Sequence, residues 1–284
     1  MLNIHFYKYQ GTGNDFILID NREEVFPIDD TALVARLCDR RFGIGADGLI
    51  LLEKPVTRDA IDFRMRYYNA DGGESSMCGN GGRCIVAFAQ HLKIIHDTTR
   101  FRAIDGVHEA RIETSEATDG SHASPIVSLR MTDVTRITMD GMDYVLDTGS
   151  PHFVRMAYDA FTVDVAREGQ AIRNSAEYAA AGINVNFVST VAGGGIRVAT
   201  FERGVEAETL SCGTGVTAAA IAAFLQTKLA AKSLTDVGNV TDPHTTTVHT
   251  KGGTLSVRFE MAANGSFENV WLRGAAVQVF EGFV

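Results

Sequence analysis

The chain is short of several things at once, and each scarcity removes a class of protein. Four of its 284 residues are cysteine (Cys38, Cys78, Cys84 and Cys212), too few for a disulfide framework. No run of 18 or more apolar residues occurs, so no membrane-spanning helix is expected. Basic residues are outnumbered, 26 Lys+Arg against 35 Asp+Glu, and they form no stripe; with a net charge of −9, nucleic acid is not an expected partner. The start Met1-Leu2-Asn3-Ile4-His5 has neither a basic leader nor an apolar targeting core, so a cytoplasmic protein with reduced thiols is expected. Each thiol then needs its own reason.

What is plentiful is glycine, 28 residues gathered in short clusters at the ends of apolar runs. The pattern predicts strands over 4–9 and 16–20 around a Gly-rich turn, then a helix capped by Asp30 or Thr31 that presents Leu33, Val34, Leu37 and Cys38 and ends at Gly43. Strands follow over 48–52 and 61–68, a polar loop over 69–82, and a helix over 83–95 with Cys84, Ile85, Phe88 and Leu92 on one face. Residues 101–131 alternate like strands around a polar turn at Asp119-Gly120-Ser121. The second half replays this order: a strand over 144–146, a turn over 148–152, a helix over 164–173, strands over 185–188 and 195–201, an Ala-rich helix over 213–231, and strands over 246–259 and 270–280.

The replay is in register. With Cys78 laid on Cys212, Cys-Gly-Asn-Gly meets Cys-Gly-Thr-Gly, Glu74 meets Glu208, and Asn14 falls near Ser150. A duplication of about 134 residues implies two similar domains and not a solenoid. The expected boundaries are 1–131 and 132–270, with a terminal strand over 271–284 able to return to the first domain.

In each half the cysteine ends a polar loop and opens a helix, where unpaired N–H groups and the helix dipole favour a thiolate. The Gly-Asn-Gly and Gly-Thr-Gly that follow let backbone N–H groups reach an anion such as a carboxylate. If the two loops meet at a cleft between domains, a small ligand has one thiol on each side. A thiolate on one face and a thiol on the other is what inversion of a carbon stereocentre needs.

Other readings of the same residues are weaker. Gly43-Ile44-Gly45-Ala46-Asp47-Gly48 spells GxGxxG, but a helix precedes it and a strand follows, the reverse of a dinucleotide fingerprint. Cys78, Cys84, His91 and His96 lack zinc spacing, and Cys84 lies on an apolar stripe, so no metal is expected. A cysteine-nucleophile hydrolase built on Cys78 or Cys212 with His152 leaves the second cysteine unexplained. On the residues alone, Asn14 and Asn69 could equally satisfy turns, Glu202-Arg203 could be an exposed ion pair, and His152 could be packing.

Six ordered segments carry a resemblance: Gly13-Asn14-Asp15-Phe16, Tyr68-Asn69-Ala70-Asp71-Gly72, Met77-Cys78-Gly79-Asn80-Gly81, Gly182-Ile183-Asn184-Val185, Phe201-Glu202-Arg203-Gly204 and Cys212-Gly213-Thr214-Gly215. In that order, and across nearly the whole chain, they resemble the diaminopimelate epimerase family. The resemblance implies an α/β (α+β) fold of two pseudo-symmetric domains, each a mixed, mostly antiparallel sheet wrapped around a central helix. It implies a cofactor-independent isomerase that interconverts LL- and meso-2,6-diaminoheptanedioate on the route to lysine and peptidoglycan, with a small amino acid as its partner and a homodimer as its assembly. By the same resemblance Cys78 and Cys212 are the acid/base pair, and the N–H groups of Gly79, Asn80, Gly213 and Thr214 cradle the reacting carboxylate. Asn14, Asn69, Asn184, Glu202 and Arg203 hold the substrate's amino groups and distal carboxylate, while His152 and Glu202 tune the thiols.

Two positions depart from the family pattern: Asp47-Gly48 stands for a frequent Asp-Gln, and Ser150 for the Asn of a frequent Gly-Asn-Pro-His. A proline or hydroxyproline racemase, the alternative with paired cysteines, usually has His after the first Cys-Gly, where this chain has Asn80. A non-catalytic binding domain or a phenazine-type isomerase would lack the paired thiols.

Overall fold

The computed structural model describes residues 3–56, 60–113, 124–230 and 242–284. The chain divides into two compact units, Met1–Leu129 with Gly274–Val284, and Arg130–Arg273.

The first unit opens on a hairpin of β1 (His5–Gly11) and β2 (Asn14–Asp20). Its link, Thr12-Gly13, holds both residues at positive φ (52° and 85°), the turn whose hand matches the twist of paired strands. Helix α1 (Thr31–Cys38) is capped by Asp30, which accepts the Leu33 N–H at 2.9 Å. It stops short of the expected Gly43 because the Asp39 carboxylate takes the N–H groups of Arg41 and Phe42, both at 2.7 Å, and turns the chain out. Ile44 and Gly45 then fold back to donate to the Leu37 carbonyl at 2.9 and 3.0 Å.

Strand β3 (Gly48–Glu53) runs parallel to β2, and β4 (Phe63–Asn69) antiparallel to β3. Leu49 and Leu51 join Ile17 and Ile19 against Leu33, Val34, Leu37 and Cys38 of α1, while the side chain of Ile50 lies near Gly81 on the other face. Burial on both faces is why this strand reads as an unbroken apolar run. The segment expected as loop holds the short strand β5 (Glu74–Ser75) and the first turn of α2 (Gly79–His91), which begins four residues before the expected start. Glycine costs a helix about 1 kcal/mol per residue relative to alanine, so propensity reads Gly79-Asn80-Gly81-Gly82 as loop. Packing overrides it: a Cβ on Gly81 would lie 3.1 Å from Ile50, and one on Gly82 2.8 Å from the Met77 sulfur. Strands β6 (Thr98–Ala103), β7 (Gly106–Glu113) and β8 (Ile126–Arg130) complete the run, and the expected turn at 119–121 lies outside the described residues.

The second unit holds β9 (Ile137–Asp140), β10 (Asp143–Asp147), β11 (Pro151–Met156), α3 (Val165–Arg173), β12 (Asn184–Thr190), β13 (Ile196–Glu202), β14 (Ala207–Thr209), α4 (Gly213–Ala230), β15 (His244–Thr250), β16 (Gly253–Met261) and β17 (Phe267–Ala275). Residue 231 of the expected Ala-rich helix lies outside the described residues. Strand β18 (Val277–Phe283) pairs antiparallel with β1 in the first unit. The pairing order repeats step for step. The pair β11–β12 is parallel like β2–β3, β12–β13–β14 antiparallel like β3–β4–β5, β13–β15 parallel like β4–β6, and β15–β16–β17 antiparallel like β6–β7–β8. Each unit is a mixed, mostly antiparallel sheet wrapped around one buried helix, α2 or α4, both packed on the strands of their own unit.

Helix α3 shows how tight the second layer is. Gly169 faces Phe201, and a Cβ there would lie 2.7 Å from the ring's Cγ. Gly169→Ala gains about 1 kcal/mol of helix propensity but forces a repacking that costs about 1–3 kcal/mol. The net expectation is destabilisation, read as a lower urea midpoint; an unchanged or raised midpoint would refute this account of the contact.

Candidate active site

Each cysteine of the duplicated pair sits immediately before the buried helix of its unit. Cys78 is the N-cap of α2, with extended backbone (φ −88°, ψ 134°) and a sulfur that makes no capping bond. The helix closes on it through the Gly82 N–H, which donates to the Cys78 carbonyl at 2.7 Å, just as the Val216 N–H donates to the Cys212 carbonyl at 2.8 Å. The N–H groups of Gly79 and Asn80, and of Gly213 and Thr214, therefore precede the first intrahelical bond, at the positive end of the helix dipole.

In the first unit a chain of amides runs to the thiol. The Cys78 Sγ donates to Asn14 Oδ1 at 3.6 Å, and the Asn80 Nδ2 donates to the same oxygen at 3.3 Å. The Asn14 Nδ2 donates to Asp47 Oδ2 at 2.5 Å, which fixes the orientation of the amide. Asp47 also meets Arg40 at 2.7 Å, and Arg40 in turn bridges to Asp15 at 2.6 Å. Burial pushes the Asp15 carboxyl up, but hydrogen bonds from Arg40 and Lys8 outweigh it and hold the group well below the usual carboxylate range. Asn69 stands apart from this chain. It is exposed, and its backbone closes the turn between β4 and β5 through the Gly73 carbonyl at 2.9 Å and the Gly72 N–H at 3.0 Å. Gly48, paired with Asn69 across the sheet, has no room for a side chain, since a Cβ would lie 2.6 Å from the Tyr67 ring.

In the second unit the polar cluster is larger. Asn184, nearly fully buried, donates to Ser150 Oγ at 2.9 Å and to the Pro151 carbonyl at 3.1 Å, and accepts the Arg203 N–H at 2.8 Å. The Arg203 guanidinium reaches the same Ser150 Oγ at 3.3 Å, so Ser150, although it departs from the family pattern, belongs to this cluster. Glu202 accepts the Thr209 hydroxyl at 2.9 Å. Cys212 is buried, with its Sγ 3.4 Å from Thr214 Oγ1, and Thr148 donates to the Thr214 carbonyl at 2.8 Å, tying the β10–β11 hairpin to the helix start.

His152 is fully enclosed, and burial, helped by the nearby Arg203 charge, pushes its pKa down to about 3. The ring is therefore neutral at pH 7, and its tautomer follows from its neighbours. Thr200 donates to Asn186 Oδ1 at 2.9 Å, so the Asn186 nitrogen faces His152 Nδ1 at 3.0 Å and leaves the ring proton on Nε2. That Nε2 has no hydrogen-bond partner among the described residues. A Cβ on Gly215 would lie 3.4 Å from both His152 Cε1 and Cys212 Cβ, which places the imidazole against the start of α4. Phe16 fills the corresponding place beside Gly81 in the first unit, with its ring 3.5 Å from where a Cβ would stand.

The structure thus joins Asn14, Cys78 and Asn80 in one unit and Asn184 and Arg203 in the other. Sequence reasoning missed Asp47, Thr148, Asn186 and Arg83. The signal for the last lay in the internal alignment, which sets Arg83 against Thr217.

The His152 shift sets a pH dependence. The unfolded chain takes up a proton near pH 6.5 and the native ring near pH 3, so this contribution is complete above about pH 6.5 and is lost as pH falls toward 3. The expected slope is up to ~1.4 kcal/mol of stability per pH unit within that window. His152→Phe, which installs the first unit's residue, is expected to remove one proton's worth of slope in urea titrations. A variant that keeps the wild-type slope would show that His152 is not the group.

A sequence profile of the family described as Diaminopimelate epimerase matches residues 6–126 and 144–270. The Diaminopimelate epimerase of Flavobacterium psychrophilum is 49% identical over 275 residues, covering 97% of this chain and 98% of the relative. That of Chlorobaculum tepidum is 40% identical over 283 residues, covering 96% and 98%. Among solved structures, a phenazine biosynthesis protein of the PhzF family from Bacillus anthracis superposes with a TM-score of 0.69 at 12% identity, covering 100% of this chain and 99% of the other. A probable proline racemase from Agrobacterium radiobacter gives 0.64 at 14% identity, covering 99% and 92%; at these identities the likeness is one of fold.

Proposed function

The chain belongs to the diaminopimelate epimerase family and is an isomerase acting on diaminopimelate, and on that basis we propose that Cys78 and Cys212 are the two acid/base groups of the reaction. The observation that carries this is the repetition: each unit spends its one buried helix on presenting a cysteine at an N-terminus. Inversion at carbon needs a proton removed from one face and another delivered to the opposite face, so two thiols, one of them ionised, suffice without a cofactor.

The N–H groups of Gly79, Asn80, Gly213 and Thr214 take the reacting carboxylate and stabilise the charge that develops on it as the α-proton leaves. Asn184, Arg203 and Ser150 form the recognition set for the far end of the substrate. Arg203 suits the distal carboxylate, and Glu202 with the amides suits an ammonium. Asn14 accepts from the Cys78 thiol and fixes where its sulfur stands. Asn69 contributes from the rim. His152 acts on the Cys212 side as a neutral imidazole packed against the start of α4, without adding a positive charge beside that thiol. Diaminopimelate carries two ammonium and two carboxylate groups, so the −9 net charge neither draws it in nor repels it, and recognition is local. The substrate change proposed is LL to meso, in cytoplasmic lysine and peptidoglycan precursor synthesis. Gly48 has no side chain to offer and no room for one, so it makes no contact of its own.

A homodimer fits the surface of β18, where Val279, Phe280 and Phe283 are exposed on a strand paired with β1. Sedimentation is expected to give twice the chain mass and Phe280→Glu the single mass; a wild-type monomer would reject this assembly.

Cys78→Ala and Cys212→Ala are each expected to lower epimerisation by about 10³-fold or more with the fold retained. The α-hydrogen of diaminopimelate is expected to exchange with deuterated solvent, and that of proline, the control, is not. Near-normal turnover in either alanine variant would end the two-thiol reading, and exchange with proline alone would end the substrate assignment.

A further inference from the structure

Among the described residues, the largest fully buried side chain is a cation. Arg83 lies on α2, one turn beyond the Cys78 cap, with none of its surface exposed. Its hydrogen-bond partners are neutral oxygens: Asn80 Oδ1 at 3.0 Å, Thr12 Oγ1 at 3.1 Å and the Gly79 carbonyl at 3.4 Å, and its Nε has no partner among the described residues. The nearby carboxylates are engaged elsewhere. Asp15 is held by Lys8 and Arg40, Asp47 by Arg40 and Asn14, and Asp105, which takes the Met77 N–H, by His108.

A guanidinium stays charged at any physiological pH, and a buried charge without an opposite charge is among the most costly arrangements a core can hold. Three ionisable groups approach this part of α2. Burial pushes the Cys84 thiol up to about 12 and the Tyr9 phenol upward as well, so both stay neutral. Only Cys78, half-buried, can become an anion, and it is tied to the guanidinium by two amides. Because Asn80 turns its Oδ1 to Arg83, its Nδ2 faces Asn14 Oδ1, the atom that meets the Cys78 sulfur.

The second unit shows that the charge is not needed to build the helix start. There Thr217 stands in the corresponding place and satisfies the Gly213 carbonyl with a hydroxyl at 3.0 Å. We infer that Arg83 is the counter-cation of the Cys78 thiolate, a positioning residue whose buried charge outweighs the Asn14 oxygen facing the sulfur and stabilises the anion left when Cys78 gives up its proton. This rests on Cys78 as one of the two acid/base groups, and it makes the pair unequal. Cys78 ionises first, its proton passing to solvent, while Cys212, beside a neutral imidazole, keeps its own.

The test is the rate of carbamidomethylation of each thiol by iodoacetamide between about pH 5 and pH 10 in the full-length protein, read by peptide mass spectrometry. In the wild type the Cys78 midpoint is expected below the free-thiol value of about 8.5 and below that of Cys212. Arg83→Met is expected to raise the Cys78 midpoint by about one unit or more, roughly a tenfold loss of thiolate at pH 7, with the Cys212 midpoint unmoved. Arg83→Lys, which keeps the charge, is expected to keep the low midpoint. A wild-type Cys78 midpoint at or above that of Cys212, a folded Arg83→Met variant with no shift, or a lysine variant that shifts as far as methionine would each overturn the inference. If the methionine variant does not fold, the wild-type comparison and the lysine variant still decide. The readout needs no turnover, so loss of the two-thiol mechanism, seen as activity in Cys78→Ala, is distinguishable from loss of the Arg83–Cys78 coupling.

Discussion

A helix that begins inside a sheet can carry a side chain in its first turn only where the sheet leaves room, and this constraint organises both units. At Gly81 the space is taken by Ile50 and Phe16, at Gly82 by Met77 and Leu129, and at Gly215 by Asn186, His152 and the Cβ of Cys212. The first turn of each helix is therefore held close against its sheet, and the residue that precedes it is a cysteine. The glycines that look like an anion-binding loop are first of all what lets α2 and α4 penetrate far enough to pin a thiol at the cap. Backbone N–H groups aimed outward follow from the same penetration.

On this repeated frame the two units carry different chemistry. The places held in the first unit by Phe16, Gly48, Asn69 and Arg83 are held in the second by His152, Asn184, Glu202 and Thr217. The second unit has thus concentrated the polar groups suited to reading a substrate, around Ser150 and Arg203. The first has kept an apolar plug and placed its charge beneath the thiol. A duplicated fold offers matched positions, and asymmetry of the substrate is met by filling them differently.

The outline of this fold was readable wherever burial follows a simple period. The alternation of Phe63, Met65 and Tyr67, the α1 face of Leu33, Val34, Leu37 and Cys38, and the apolar run of β3 all bury as their spacing implies. The failures share one cause. Glycines in the first turn of α2 and Asp39 at the end of α1 are governed by contacts with distant chain, which local propensity does not contain. The site divides in the same way. Cysteines after a polar loop announce themselves, and so do motif asparagines such as Asn14 and Asn184. The role of Asn186 depends on Thr200 and His152 arriving from neighbouring strands, and that of Asp47 on the hairpin turning back toward it.

The return of β18 to β1 makes the order of synthesis matter. Residues 130–273 form a contiguous unit that can close as soon as it is made, whereas the unit begun by the first 129 residues waits for Gly274–Val284. Until those residues emerge, β1 offers an unpaired edge and Phe6 lacks the Phe280 ring it meets at 6.0 Å. The half of the chain translated first is therefore finished last, and for most of translation it is the part in need of protection.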